Sequence, residues 1–262
     1  MIDLSTDTLG ISRLYLNRPE KHNAFGPELM KQITEALTTL AAKNETRVLI
    51  ITGAGKSFSS GADLNYMKSM INFSHRENVQ DAGRLANMLK CINEFPCPVI
   101  AAVNGNAIAG ATGIIAASDL VIAASDARFS ISEVRFGIAP AVISPYVIAR
   151  IGVHNARRFF LTAEVFDAQT AMHAGLVHHI VEPEQLMPEA VVHARNFLNN
   201  GPRAMSATKA LIRRIAPVHV DPAVTDHTCE LIAQLRASDE GQQGLNAFFT
   251  RLPAPWIPDG SS

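Results

Sequence analysis

From Phe95 to Ser118 the chain runs 24 positions without a charged residue, and any fold it adopts must hide that stretch. Its length alone would cross a bilayer. Pro96, Pro98, Asn104, Gly105, Asn106, Gly110, Thr112 and Gly113 interrupt it, and they divide it into a buried strand, a turn and a buried helix. No membrane span is expected. Only 18% of the residues are charged against 47% hydrophobic, which excludes intrinsic disorder and suggests that much surface is buried, some of it between subunits. The 23 basic and 24 acidic residues nearly cancel, so no overall field draws a nucleic acid, and none is expected as a partner.

Short β-branched segments alternate with helical ones through the first two-thirds of the 262 residues. Strands are expected at Ile11–Leu16, Arg47–Thr52, Val99–Val103, Leu120–Ala123 and Arg128–Ser132, each bounded by turn-forming residues. A helix is expected over Glu28–Lys43, where Leu29, Ile33, Ala36, Leu37 and Leu40 keep the helical period after Pro27. Strands joined by helical crossovers imply an α/β core around a largely parallel sheet, buried on both faces. Beyond Glu182-Pro183 four helical stretches follow, at about 184–199, 203–215, 222–237 and 241–251, separated by Gly201-Pro202, Pro217, Pro222 and Gly241. We divide the chain into a core over 1–195 and a helical unit over 196–262 that packs on the core or on a neighbouring subunit.

Several chemistries can be set aside. Gly53-Ala54-Gly55-Lys56-Ser57 resembles a phosphate loop, but Ile50 stands where that loop needs its first glycine and Phe58 where a dinucleotide turn needs its last. It reads as a turn after a strand. The nine histidines show no metal-ligand spacing, and the adjacent His178 and His179 would point to opposite faces of a strand, so no metal is expected. Cys91, Cys97 and Cys229 form no CxxC pair and read as buried free thiols. There is no Gly-x-Ser-x-Gly elbow for a serine hydrolase. The first residues lack the basic start and apolar run of a secretion signal, which predicts a cytoplasmic protein.

Two loops carry the chemistry. Ser57 to Leu64 follows one buried strand, and Asn104 to Gly113 follows another and opens an uncharged helix with free N-terminal amides. Taken singly, each is a glycine turn into a helix. If the amides of Ala62 and Gly110 face one point, they form an oxyanion hole for a thioester oxygen.

In combination these segments resemble the enoyl-CoA hydratase/isomerase (crotonase) family. Leu16-Asn17-Arg18-Pro19-Glu20-Lys21-His22-Asn23-Ala24 resembles its LNRPEKxNA segment, Phe58 to Leu64 its FxxGADL loop, and Ala101 to Gly105 its AAVNG lead-in. Glu240-Gly241 through Ala247-Phe248-Phe249-Thr250-Arg251 is similar to its terminal helix. The resemblance implies a spiral of ββα turns, a helical trimerisation unit, homotrimers or hexamers, and an acyl-CoA thioester as substrate. No cofactor is implied, because coenzyme A is part of that substrate. It implies oxyanion amides at Ala62 and Gly110, and contacts to coenzyme A or acyl chain at Lys21, Ala24, Gly61, Asp63, Leu64 and Gly113. Phe248 and Arg251 match residues that reach a coenzyme A on a neighbouring subunit.

Glu133 falls at the family's second catalytic glutamate, where an apolar pocket would raise its pKa and let it exchange a proton with the carbon beside the thioester. A surface ion pair with Arg128 or Arg135 is the alternative. Hydratases of the family usually carry another glutamate three residues after the second oxyanion glycine, and here that position is Gly113. One carboxylate suits a double-bond isomerase. The Pro140-Ala141-Val142-Ile143-Ser144-Pro145 turn, in contrast, resembles the bacterial methylglutaconyl-CoA and isohexenylglutaconyl-CoA hydratase branch. The expected function is therefore hydration of a 2,3-unsaturated, branched glutaconyl-type acyl-CoA. The alternatives are a Δ3,Δ2-enoyl-CoA isomerase and a non-catalytic acyl-CoA binding protein. A cation should meet a distal carboxylate, and Lys68, Arg84 and Arg135 are equal candidates.

Overall fold

A computed structural model describes residues 1–216 and 222–258. Its strands are β1 (Ile2–Thr6), β2 (Ile11–Leu16), β3 (Val48–Gly53), β4 (Ser57–Ser59), β5 (Val99–Val103), β6 (Asn106–Ile108), β7 (Leu120–Ala124), β8 (Arg128–Ser130), β9 (Phe166–Asp167) and β10 (His179–Val181). The helices are α1 (Pro27–Lys43), α2 (Leu64–Met70), α3 (His75–Asn93), α4 (Gly110–Ala117), α5 (Ser144–Thr162), α6 (Ala168–His173), α7 (Leu186–Leu198), α8 (Pro202–Ile215), α9 (Pro222–Ala237) and α10 (Asp239–Thr250).

β3, β5 and β7 are each followed by a short strand and then by helix. The five long strands and the three-residue β10 join one sheet in the order β1-β2-β3-β5-β7-β10, and the other short ones a second in the order β4-β6-β8-β9. Pairing is parallel from β2 through β10 in the first sheet and from β4 through β8 in the second. This is the ββα spiral expected of the chain.

Side-chain alternation along the long strands supplies two cores. Leu49 and Ile51 of β3, Val99, Ala101 and Val103 of β5, and Val121 and Ala123 of β7 face the main core with α1, α3 and α4. Val48, Ile50, Ile100, Ala102, Ile122 and Ala124 face the other way, where Leu186, Ala190, Ala194 and Leu198 of α7 cover them. The boundary drawn at 195/196 thus falls inside a helix whose last residue still packs on the sheet. Among the described residues of α8 to α10 only Ala247 is buried. The Lys209 ammonium fastens α8 to the core, donating to Cys97 O at 2.9 Å and pairing with Asp119 at 2.6 Å. Pro217, one of the expected helix breaks, lies outside the described residues.

Other differences from expectation are local. β3 begins at Val48; Arg47 before it donates its backbone N–H to Gly10 O at 2.7 Å, and its guanidinium binds the carbonyls of Leu198 and Trp256, each at 3.2 Å. β8 stops at Ser130, and a 3-10 turn over Glu133–Phe136 follows. Of the two histidines only His179 belongs to β10; His178, just before it, donates its N–H to Val121 O at 3.0 Å and accepts the Val121 N–H through Nδ1 at 2.9 Å. Cys91 and Cys97 are half-buried and Cys229 is exposed, so the thiols are free, as expected, but none is fully buried. Among the described residues no helix is long and apolar enough to cross a membrane.

Candidate active site

The segment before α1 is anchored by a buried asparagine. Asn23 accepts from the Arg18 N–H at 2.8 Å and donates from Nδ2 to Ala54 O at 2.9 Å and Ser57 O at 2.7 Å, so it holds the segment against β4. Phe25 then lies alongside the loop after β4. Its N–H donates to Gly61 O at 2.6 Å, and its carbonyl accepts from the Asp63 N–H at 2.7 Å. Those two bonds flank Ala62, whose own N–H therefore points away from Phe25. No acceptor among the described residues takes it.

The second loop is held equally tightly. Asn104 accepts the Gly53 N–H at 3.0 Å and donates to Gly55 O at 2.9 Å, tying the end of β5 to the turn after β3. Ala109 then takes φ 51 and ψ −118, a conformation natural to glycine that costs an alanine about 1–3 kcal/mol. Its N–H donates to Ser130 O at 2.8 Å, and its carbonyl accepts the Thr112 N–H at 2.9 Å. Gly110 follows as the first residue of α4, where a backbone N–H has no partner within the helix. The two loops touch at Gly61, φ 84.

Ala62 and Gly110 line one cavity of about 420 Å³. Its wall is mostly apolar, with Phe25, Met30, Met67, Met70, Leu85, Val142 and Ile143 prominent. Glu133, at the start of the 3-10 turn, lies on the same wall. Burial pushes its carboxyl above the usual glutamate range, only partly offset by its own backbone N–H. Its Oε2 is buried and has no hydrogen-bond partner among the described residues. The surface ion pair does not form, because Arg135 donates to Ala163 O at 2.7 Å and Arg128 to Ala127 O at 2.9 Å. An acid left without a protein partner beside two amide donors is arranged to act on something that enters the cavity.

Residues 6–258 match the enoyl-CoA hydratase/isomerase family. The chain belongs to that family. A crotonyl-CoA hydratase of Syntrophomonas wolfei is 32% identical over 93% of this chain and 93% of its own. A short-chain-enoyl-CoA hydratase of Clostridium acetobutylicum is 31% identical over 90% of each chain. The crystal structure of an enoyl-CoA hydratase from Shewanella pealeana superposes with a TM-score of 0.94 at 38% identity, covering 97% of this chain and 95% of that one.

The remaining positions singled out by likeness to the hydratase/isomerase family divide three ways. Lys21, Ala24, Asp63 and Leu64 line a second groove of about 500 Å³ that shares Ser60, Ala62 and Leu64 with the first cavity. Asp63 caps α2 and pairs with Arg18 at 3.3 Å. Burial pushes the Asp63 carboxyl up, but the Tyr66 and Asn65 amides with the Arg18 and Lys21 charges outweigh it and hold it below the usual range. Gly61 lines neither space and acts by letting the two loops meet. Phe248 and Arg251 also line neither, with Phe248 77% exposed on α10.

Gly113 lines neither space: it is buried inside α4, and a Cβ there would lie 2.6 Å from Ile143 Cγ2 and 3.1 Å from Leu89 Cδ1. The space a family glutamate would enter is filled by Ile143, which lines the cavity in its place. Sequence reasoning also missed Tyr66 and Asp81 on that wall. A carboxylate one turn before Leu85, on the inward stripe of α3, was the available signal.

Proposed function

We propose that the protein is an enoyl-CoA hydratase that adds water across the 2,3-double bond of an acyl-CoA thioester. One observation carries this: the unpartnered, buried Glu133 oxygen shares a cavity with Ala62 and Gly110, whose backbone N–H groups take no acceptor among the described residues. Ionised Glu133 takes a proton from water as the water oxygen bonds to C3, and the displaced electron pair moves through C2 to the thioester oxygen. The two amides hold that oxygen while it is negative, a contribution of about 3 kcal/mol per donor in such sites. Glu133 then returns its proton to C2. Water has been added and the carboxylate is regenerated, with no cofactor beyond the coenzyme A that the substrate carries.

An uncharged acyl chain suits this wall better than the branched glutaconyl-type thioester suggested by the sequence. A distal carboxylate needs a cation, and neither Lys68, Arg84 nor Arg135 lines the cavity. Three methionines, Met30, Met67 and Met70, give a pliable lining that accommodates more than one chain length. Assembly into trimers or hexamers is part of the same proposal, supported by the exposed Phe248, Phe249 and Leu252 on and just after α10.

A second reading is a double-bond isomerase, favoured by the filled space at Gly113, which leaves Glu133 to shuttle a proton alone. Incubating a panel of 2-enoyl- and 3-enoyl-CoA thioesters and weighing the products separates the readings. The mass of one water gained by 2-enoyl thioesters is the expected result. Conversion of 3-enoyl to conjugated thioester with no hydroxyacyl product would establish the isomerase. Binding without turnover of either class would establish a non-catalytic acyl-CoA protein.

A further inference from the structure

The inward face of α3 carries Leu85, Met88, Leu89 and Ile92, and one turn earlier it presents Asp81 to the cavity. The Tyr66 hydroxyl, reaching across from α2, donates to Asp81 Oδ1 in a short hydrogen bond. Arg84 Nη1 lies 3.3 Å from the same oxygen but does not line the cavity, and its side chain is 48% exposed against 16% for Asp81. Burial and then the Asp81 carboxylate push the Tyr66 phenol up to about 12, so Tyr66 stays neutral and its proton is committed to Asp81. Glu133, Asp81 and Tyr66 are the ionisable side chains on the wall, and no Lys, Arg or His accompanies them.

We propose that Asp81 is a specificity-determining residue that excludes acyl chains ending in a carboxylate from the cavity and admits uncharged ones. This deepens the acyl-CoA reading above and rests on it. A carboxylate entering an apolar enclosure sheds its water and here meets like charge instead of a cation. Arg84 screens Asp81 from outside the cavity, where solvent weakens its field. A neutral chain loses nothing at this point, since the bonds of Asp81 to Tyr66 and Arg84 are already made.

The test is calorimetric binding of butyryl-CoA and glutaryl-CoA to the full chain, in the parent and in Asp81→Asn, Asp81→Ser and Tyr66→Phe variants. Neither thioester has a double bond, so the measurement is independent of any turnover. The parent is expected to bind butyryl-CoA about tenfold more tightly than glutaryl-CoA, the scale of one partly screened charge contact. Both neutral substitutions at Asp81 should bring the two affinities within a few-fold by tightening glutaryl-CoA, whereas Tyr66→Phe, which keeps the charge, should preserve the preference. A parent without preference overturns the proposal, as does a ratio that neutral residues at position 81 leave unmoved. If the parent adds water to no enoyl thioester but shows these ratios, the hydratase reading falls and the selection by Asp81 stands.

Discussion

Gly61 and Ala109 leave no space between them: a Cβ on Gly61 would lie 3.4 Å from the Ala109 Cβ and 3.0 Å from Ile108 O. That contact fixes the separation of the loops bearing the Ala62 and Gly110 amides. A Gly61→Ala variant must push them apart and also hold an alanine at φ 84. We expect its kcat on an enoyl-CoA to fall about 10²-fold, the penalty of a misplacement near 1 Å, with a smaller change in butyryl-CoA affinity. Comparable losses in both would show that the loops set binding and not oxyanion geometry.

Glu133→Gln keeps the shape of the side chain and removes its proton chemistry. Turnover is expected to drop by about 10²- to 10⁴-fold. Butyryl-CoA binding should persist, because the chain meets an apolar wall. Activity within a few-fold of the parent would take Glu133 out of the mechanism.

The raised carboxyl of Glu133 has two consequences with pH. Glu133 must be ionised to accept a proton from water, so kcat/KM should be lost as pH falls through the raised value, on a limb lying above the usual 4.5 of glutamate. Stability runs the opposite way. The folded state holds this proton more tightly than the unfolded chain, so its contribution is present below the usual glutamate value and is lost as pH rises through the raised one. Denaturant titrations across that window should show the decline in the parent and a flatter profile in Glu133→Gln.

At Gly113 an added methyl group meets Ile143 and Leu89. Gly113→Ala should lower stability by ~1–3 kcal/mol through overpacking, less what alanine gains in a helix. Ile143→Ala, which removes the Cγ2 that the new methyl group meets, should cost less in that background than alone, a coupling that a double-mutant cycle in denaturant measures directly. Additive effects would mean that the two side chains do not compete for one space.

Much of the fold was legible because its long strands are continuous apolar runs. Val48-Leu49-Ile50-Ile51 and Val99 to Val103 serve two cores at once and leave no other reading. The short strands were not legible. β4, β6 and β9 have three, three and two residues, too few to show a period, and tertiary pairing alone makes them strands. In the candidate site, Ala62, Gly110 and Glu133 were singled out because their segments resemble those of the hydratase/isomerase family. Ile143 could not be found, because its role is to fill the volume beside a residue 30 positions away in the chain, which no local pattern encodes. Tyr66 and Asp81 meet across two helices for the same reason.

None of the seven residues of α2 is buried, although the helix supplies Leu64, Tyr66, Met67 and Met70 to the cavity wall. This part of the lining is therefore separable from the framework that positions Ala62 and Gly110. Substitutions along this helix can retune which thioesters are accepted while the sheets, and the chemistry they support, go on undisturbed.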